Sequence, residues 1–113
     1  MHHPEDYVED VLSAVEQVPA GRVTTYGAIA DAVGRYGPRR VGNVMAEHGG
    51  AVCWWRVVRA DGGLPPSHGE EARAAYLAEG TPLRPSGKVD LRLAFHQPLG
   101  TPPAAPSGMP GQG

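Results

Sequence analysis

Gly34 and Pro38 stand four residues apart in the stretch AVGRYGPRR, and together they mark the end of one helix and the start of another. A glycine suits the left-handed residue that closes a helix. A proline suits the first helical position, where its missing N–H has no partner to lose. Upstream, Thr25 can accept a hydrogen bond from the opening turn of a helix, which predicts a short helix from Tyr26 to about Val33. A third helix is predicted over about 38–48, with GRYG as the turn between the two. Two short helices joined by a glycine-containing turn, with arginines opening the second, have the outline of a helix-turn-helix.

Ahead of this pair, Val8, Val11, Leu12, Val15 and Val18 recur at helical spacing, so residues from about 5 to 18 read as an amphipathic helix, broken by PAG at 19–21. Downstream, VVRADGGLP reads as a strand, a DGG turn and a short returning strand, a wing-like hairpin. Residues 70–80 read as a helix ended by Gly80. The expected fold is therefore mainly α with a small β hairpin, a winged helix-turn-helix-like single domain over residues 1–95. At 113 residues there is room for only one core. Residues 96–113, rich in Pro, Gly and Ala, are expected to form a disordered tail.

The net charge of −2 hides an asymmetry. Residues 1–20 carry five acids and no Lys or Arg, whereas residues 21–60 carry six arginines (Arg22, Arg35, Arg39, Arg40, Arg56, Arg59) against Asp31 and Glu47. Arginine is the better residue for forked contacts to phosphate, so this segment suggests a polyanion partner; solvated surface scatter is the plainer alternative. In the third helix Val41, Val44, Met45 and His48 form a stripe for the core. Arg39, Gly42, Asn43 and Ala46 share the opposite face. Side chains that small let a backbone lie close to another surface, such as a widened minor groove, unless Gly42 serves a close helix-helix contact inside the core.

Three pieces in order, PAGRVTTYGAIADAVG (19–34), RRVGNVMA (39–46) and WWRVVRADG (54–62), resemble the DNA-binding domain of the O6-alkylguanine-DNA alkyltransferase family. The resemblance covers roughly residues 4–84. In that family the third piece reads Pro-Cys-His-Arg-Val-Val, and its cysteine takes the alkyl group from guanine. Anchoring on Arg56-Val57-Val58 sets Trp54 at the cysteine position, Trp55 at the histidine position and Cys53 at the proline position. A thiol attacks as its thiolate, which the histidine makes available, and both members of that pair are replaced. If the segment is extended, Cys53 faces away from a pocket that Trp54 faces, and it reads as a buried, inert residue.

A tryptophan at the nucleophile position is the mark of alkyltransferase-like proteins, which have no transfer activity. The resemblance implies a non-enzyme that binds O6-alkylguanine in double-stranded DNA through the minor groove, flips the base and flags it for nucleotide excision repair. It implies a lesion pocket of Trp54, Trp55, Tyr26, Val57 and Arg59, and DNA contacts from Arg39, Arg40, Gly42, Asn43, Thr25, Tyr26 and Arg56. Within these, Arg39 matches the arginine finger that fills the gap left by the flipped base, and Tyr26 the tyrosine that turns the phosphate backbone. Core packing is the competing role for Trp54, Trp55 and Tyr26, and a solvated surface position for Arg39. Glu79 can occupy the place of the family's buried glutamate or lie in solvent. Most alkyltransferase-like proteins read Pro-Trp-His-Arg, so Trp55 is a departure, as is the shortened GGLPPSHG.

Two other functions fit parts of the sequence. One is an active alkyltransferase using Cys53, and the other a winged-helix transcription regulator, which needs longer side chains than Gly42 and Ala46 to read a major groove. His2, His3, His48, His68 and His96 show no ligand spacing, and no phosphate-loop or dinucleotide pattern appears, so no metal or cofactor is expected. The expected partners are lesion-bearing duplex DNA and the damage-recognition proteins of excision repair. With one cysteine, no export signal and no membrane-length apolar run, the chain is expected to be a soluble, cytoplasmic monomer, nucleoid-associated if bacterial.

Overall fold

A computed structural model describes residues 4–64 and 68–100. Its elements are α1 (Pro4–Glu16), β1 (Thr24–Thr25), α2 (Tyr26–Val33), α3 (Pro38–His48), two 3-10 turns (Gly49–Ala51 and Trp54–Arg56), β2 (Val57–Val58), α4 (Gly69–Glu79) and α5 (Leu91–Ala94). The local signals act as the sequence suggests. Thr25 Oγ1 accepts from the Ala28 N–H at 3.0 Å, and Gly34 ends α2 at φ 83°. Pro38 opens α3, and Gly80 ends α4 at φ 75°.

Helices α1, α2 and α3 pack against one another around a cluster of Tyr7, Val11, Ala14, Val15, Ile29, Ala30, Val41, Val44 and Val57. The buried line of α1 runs through Tyr7, Val11, Ala14 and Val15, with Val8 and Leu12 at its edges. His48 departs from the expected core stripe of α3. It is exposed and lies beside Glu47 at the helix end.

A second cluster joins Val23, Val58, Ala72, Tyr76, Val89 and Ala94. Neighbouring residues Val57 and Val58 thus enter different clusters, as the two-residue period of a strand requires. The two strands are parallel, with Thr24 opposite Val57 and Thr25 opposite Val58.

This pairing corrects the expected hairpin. The DGG turn exists: the Gly62 N–H donates to Arg59 O at 2.8 Å, and Gly62 has φ 84°. Beyond it, however, Gly62 O accepts from the Val89 N–H at 2.9 Å, and among the described residues the sheet consists of β1 and β2. Pro65 and Pro66 follow in sequence and carry no N–H with which to continue a ladder.

The domain boundary at residue 95 is also corrected. The His96 N–H donates to Val23 O at 2.8 Å, Gln97 Nε2 donates to Ala28 O at 3.1 Å, and Pro98 is fully buried. Leu99 and Gln17 exchange two hydrogen bonds, of 2.8 and 2.9 Å. These groups find partners just past α1 at Gln17, before β1 at Val23 and on α2 at Ala28, which ties residues 96–100 to the domain whatever their low hydrophobicity. The remainder of the expected tail, 101–113, lies outside the described residues. Among the described residues no helix is long and apolar enough to cross a membrane, and no group of three or more His, Cys, Asp or Glu could hold a metal ion.

Candidate nucleic-acid interface

The outer face of α3 carries Arg39, Asn43 and Ala46, all exposed, with Gly42 between them. A Cβ built on Gly42 would meet nothing within 4 Å. No protein packing therefore demands a glycine there, which removes the helix-helix explanation and leaves a shallow, open strip. Arg39 stands at the N-terminal end of that strip, and no ion pair engages it among the described residues.

The six arginines of residues 21–60 divide into two groups. Arg22 donates to the carbonyls of Ala94 and Phe95, and Arg35 pairs with Asp10 at 3.1 Å. Arg56 grips Glu79 through Nε and Nη2, at 3.1 and 2.7 Å, and reaches Val18 O with Nη1 at 2.9 Å. Each of its three nitrogens is engaged inside the protein, which corrects its assignment to the DNA contacts. Arg39, Arg40 and Arg59 remain exposed.

Glu79 is the hub of this inner network. Its side chain is 14% exposed and accepts from Arg56, from Trp55 Nε1 at 3.0 Å and from the Gly21 N–H at 3.3 Å. Of the two readings left open for Glu79, the structure gives the enclosed one and not the solvated one. Burial alone pushes its carboxyl up, but the hydrogen bonds from Arg56, Trp55 and Gly21, with the guanidinium charge, together hold it below the usual glutamate value. Tyr76, fully buried on α4, donates its hydroxyl to Trp55 O at 2.6 Å. Trp55 is thus held by α4 at its side chain and at its main chain.

With Trp55 fixed, its neighbour is oriented too. The Trp54 ring meets Trp55 edge-on, 5.6 Å between centroids at 84°, and meets the exposed His68 ring at 5.6 Å and 58°. Both tryptophans are half-buried and touch the second cluster. Because Trp54–Arg56 is a 3-10 turn, alternation between faces does not apply, and the expected opposition of Cys53 and Trp54 is corrected. Cys53 is half-buried, and both residues contribute to one cleft of about 390 Å³, lined also by Val15, Glu16, Trp55 and Arg56.

The parallel register sets Tyr26 and Arg59 one step beyond the Thr25–Val58 pair. The Tyr26 hydroxyl is pushed up by burial, against the charge of the nearby Arg59. Val57, fully buried in the helical cluster, is corrected from pocket lining to core. Thr25 uses its hydroxyl oxygen on the α2 cap, which leaves its O–H as a donor. Two exposed residues with no sequence signal for function join this surface: His68 against Trp54, and Tyr36 beneath Arg40.

Residues 6–80 match the DNA binding domain of 6-O-methylguanine DNA methyltransferase. The chain is 34% identical over 97 residues to a DNA base-flipping protein of Escherichia coli (strain K12), covering 81% of this chain and 75% of that protein. It is 29% identical over 99 residues to a DNA base-flipping protein of Vibrio parahaemolyticus, covering 83% of this chain and 99% of the relative. Among solved structures it is similar to S. pombe Atl1 in complex with damaged DNA containing O6-carboxymethylguanine. That likeness has a TM-score of 0.73 and 26% identity, over 86% of this chain and 100% of the other. A second S. pombe structure, ATL in complex with DNA, gives a TM-score of 0.69 and 29% identity, over 87% of this chain and 100% of the other. The chain therefore belongs to the family of the 6-O-methylguanine DNA methyltransferase DNA-binding domain, in its alkyltransferase-like form.

Proposed function

We propose that this protein finds O6-alkylguanine in duplex DNA by way of the minor groove, turns the base out of the stack and holds it against Trp54 without taking its alkyl group. The open strip of α3 lies in the groove, with Arg39 entering the duplex to fill the gap. A base modified at O6 pairs poorly, so its extrusion costs less than that of guanine, which supplies part of the selectivity. Tyr26 and Arg59 flank the entry, and Arg40, Asn43 and the Thr25 hydroxyl contact phosphate or sugar. The protein acts as a monomer in the cytoplasm, and its complex is a flag for nucleotide excision repair proteins.

One observation carries the non-enzymatic part. At the histidine position Trp55 donates Nε1–H to Glu79, and an indole has a donor and no acceptor there. It cannot take a proton from a thiol. The names of the bacterial relatives and the lesion in the S. pombe Atl1 complex support the DNA-binding part.

The test is binding to matched duplexes with and without one O6-methylguanine, followed by mass analysis of the protein. Preferential binding with unchanged mass is expected. A gain of one methyl group on Cys53 would falsify the non-enzymatic reading, and equal affinity for the two duplexes would remove the lesion from it.

A further inference from the structure

Tyr36 is the one non-glycine residue among the described residues with a positive φ, 62°. A bulky aromatic residue in that left-handed region carries strain that a glycine would not, so the turn before α3 retains it against a local cost. Burial does not offset the strain, because the residue is 58% exposed.

Two contacts fix the ring instead. Its neighbour on one side is Tyr7, met edge-on at 5.0 Å and 86°, and Tyr7 is anchored in the helical core. The Arg40 guanidinium also lies over the ring, 4.5 Å from its centroid. A cation held over an aromatic face in this way is attracted by the ring's negative centre. A guanidinium carries its N–H donors in a planar fork that suits phosphate oxygens, and no ion pair engages those of Arg40 among the described residues. The next residue back is Arg39, at the end of the open strip on α3.

We propose that Tyr36 and Arg40 form a preformed phosphate-binding pair, in which Tyr36 is the positioning residue that aims the Arg40 fork at the DNA backbone beside α3. The strained backbone is what brings a ring, rather than a bare glycine, under the guanidinium. Arg40 then loses less freedom on meeting a phosphate than an unsupported surface arginine does. The inference rests on the reading of this chain as a duplex-binding protein, but not on lesion recognition, since a phosphate is the same beside a damaged or an undamaged base.

The experiment measures affinity of the full chain for an O6-methylguanine duplex and its unmodified match across a salt series. It uses Tyr36→Phe, Tyr36→Gly, Arg40→Ala and the double variant Tyr36→Gly with Arg40→Ala. Tyr36→Phe keeps the ring and should bind like the parent. Tyr36→Gly should weaken both duplexes alike, by about fivefold, with the salt dependence little changed. Arg40→Ala should weaken both and make the slope of log affinity against log salt shallower by about 1. The double variant should be no weaker than Arg40→Ala alone, because the tyrosine acts through the arginine. Tyr36→Asn, which tolerates the same backbone region, serves if the glycine variant does not fold. Parent-like binding by Tyr36→Gly, or a double-variant loss equal to the product of the single losses, overturns the proposal. A loss confined to the lesion duplex also overturns it, by making Tyr36 a pocket residue. If the parent binds neither duplex, the duplex-binding reading itself fails.

Discussion

Trp55 Nε1 donates to Glu79 Oε2 across 3.0 Å, on the carboxylate that the Arg56 guanidinium grips with two of its own donors. The second tryptophan, a departure from the Pro-Trp-His-Arg pattern, thereby ties its turn to α4 through a donor that cannot exchange its proton as an imidazole does. The Trp55–Arg56 pair and Gly21 bring chain segments before and after the helix-turn-helix onto one residue of α4.

Removing that residue should be felt as stability. Glu79→Ala leaves Arg56, 15% exposed, without its counter-charge, and should cost about 3 kcal/mol, the low end for breaking a mostly buried pair. Denaturant unfolding measures it. The same residue contributes to the acid limb of the stability curve. Glu79 titrates below its ordinary value when folded, so the unfolded chain binds the proton more readily. The stabilisation is full above the unfolded value of about 4.3 and is lost as pH falls through the lower folded value. Glu79→Gln should flatten the loss of stability below about pH 5. An acid limb as steep as the parent's would mean that other carboxylates set it.

Arg39→Ala should weaken lesion binding more than binding to unmodified duplex, since only the extruded state leaves a gap to fill. Arg56→Ala should lower stability and leave the salt dependence of binding unchanged, because its donors face Glu79 and Val18 O. Equal losses on the two duplexes for Arg39→Ala would make it another phosphate contact.

Trp54→Ala should cost about 1 to 3 kcal/mol of lesion binding, the range for a lost stacking partner. Trp54→Cys alone should not restore alkyl transfer, because Trp55 still offers only a donor. Trp54→Cys with Trp55→His supplies both the thiol and an imidazole in reach of Glu79, and single-turnover transfer from O6-methylguanine duplex, read by protein mass, is the expected outcome. Transfer by the single variant would show that a base other than residue 55 serves.

Truncation separates the two parts of the C-terminal segment. Ending the chain after Gly100 should leave the melting temperature unchanged. Ending it after Phe95 should lower it by several degrees, since it removes buried Pro98 and the exchange between Leu99 and Gln17. Equal melting temperatures would show that residues 96–100 contribute nothing.

The helices were legible because their punctuation is local: Thr25, Gly34, Pro38 and Gly80 each act within four residues of themselves. What was not legible depends on residues far apart in the chain. Pairing of Thr24 with Val57 left no local trace, so the DGG turn read as half of a hairpin. Glu79 looked like any solvent-facing residue of a helix end, because its partners Gly21, Trp55 and Arg56 arrive from two other segments. The arginine count was right as a charge, but only the fold shows that Arg22, Arg35 and Arg56 are engaged internally. Of the site, the α3 strip was readable from its small residues, whereas Val57 was assigned to the pocket although its side chain belongs to the core.

The opposite destinations of Val57 and Val58 bear on how the chain acquires its structure. The first cluster is assembled from residues 7–57, whose helices are neighbours in sequence and collapse early because little loop entropy opposes them. The second must bring Val23 to Ala94, and Val23 is bonded through its N–H to Ala94 at the end of α5 and through its carbonyl to His96 beyond it. Contacts of that span form late. A nascent chain therefore displays a folded helix-turn-helix with Val58 and Val23 still bare, and its tryptophans settle only when α4 arrives. Stopped-flow refolding should show this order: helical signal first, then a slower tryptophan fluorescence change that Tyr76→Phe retards and Val44→Ala does not.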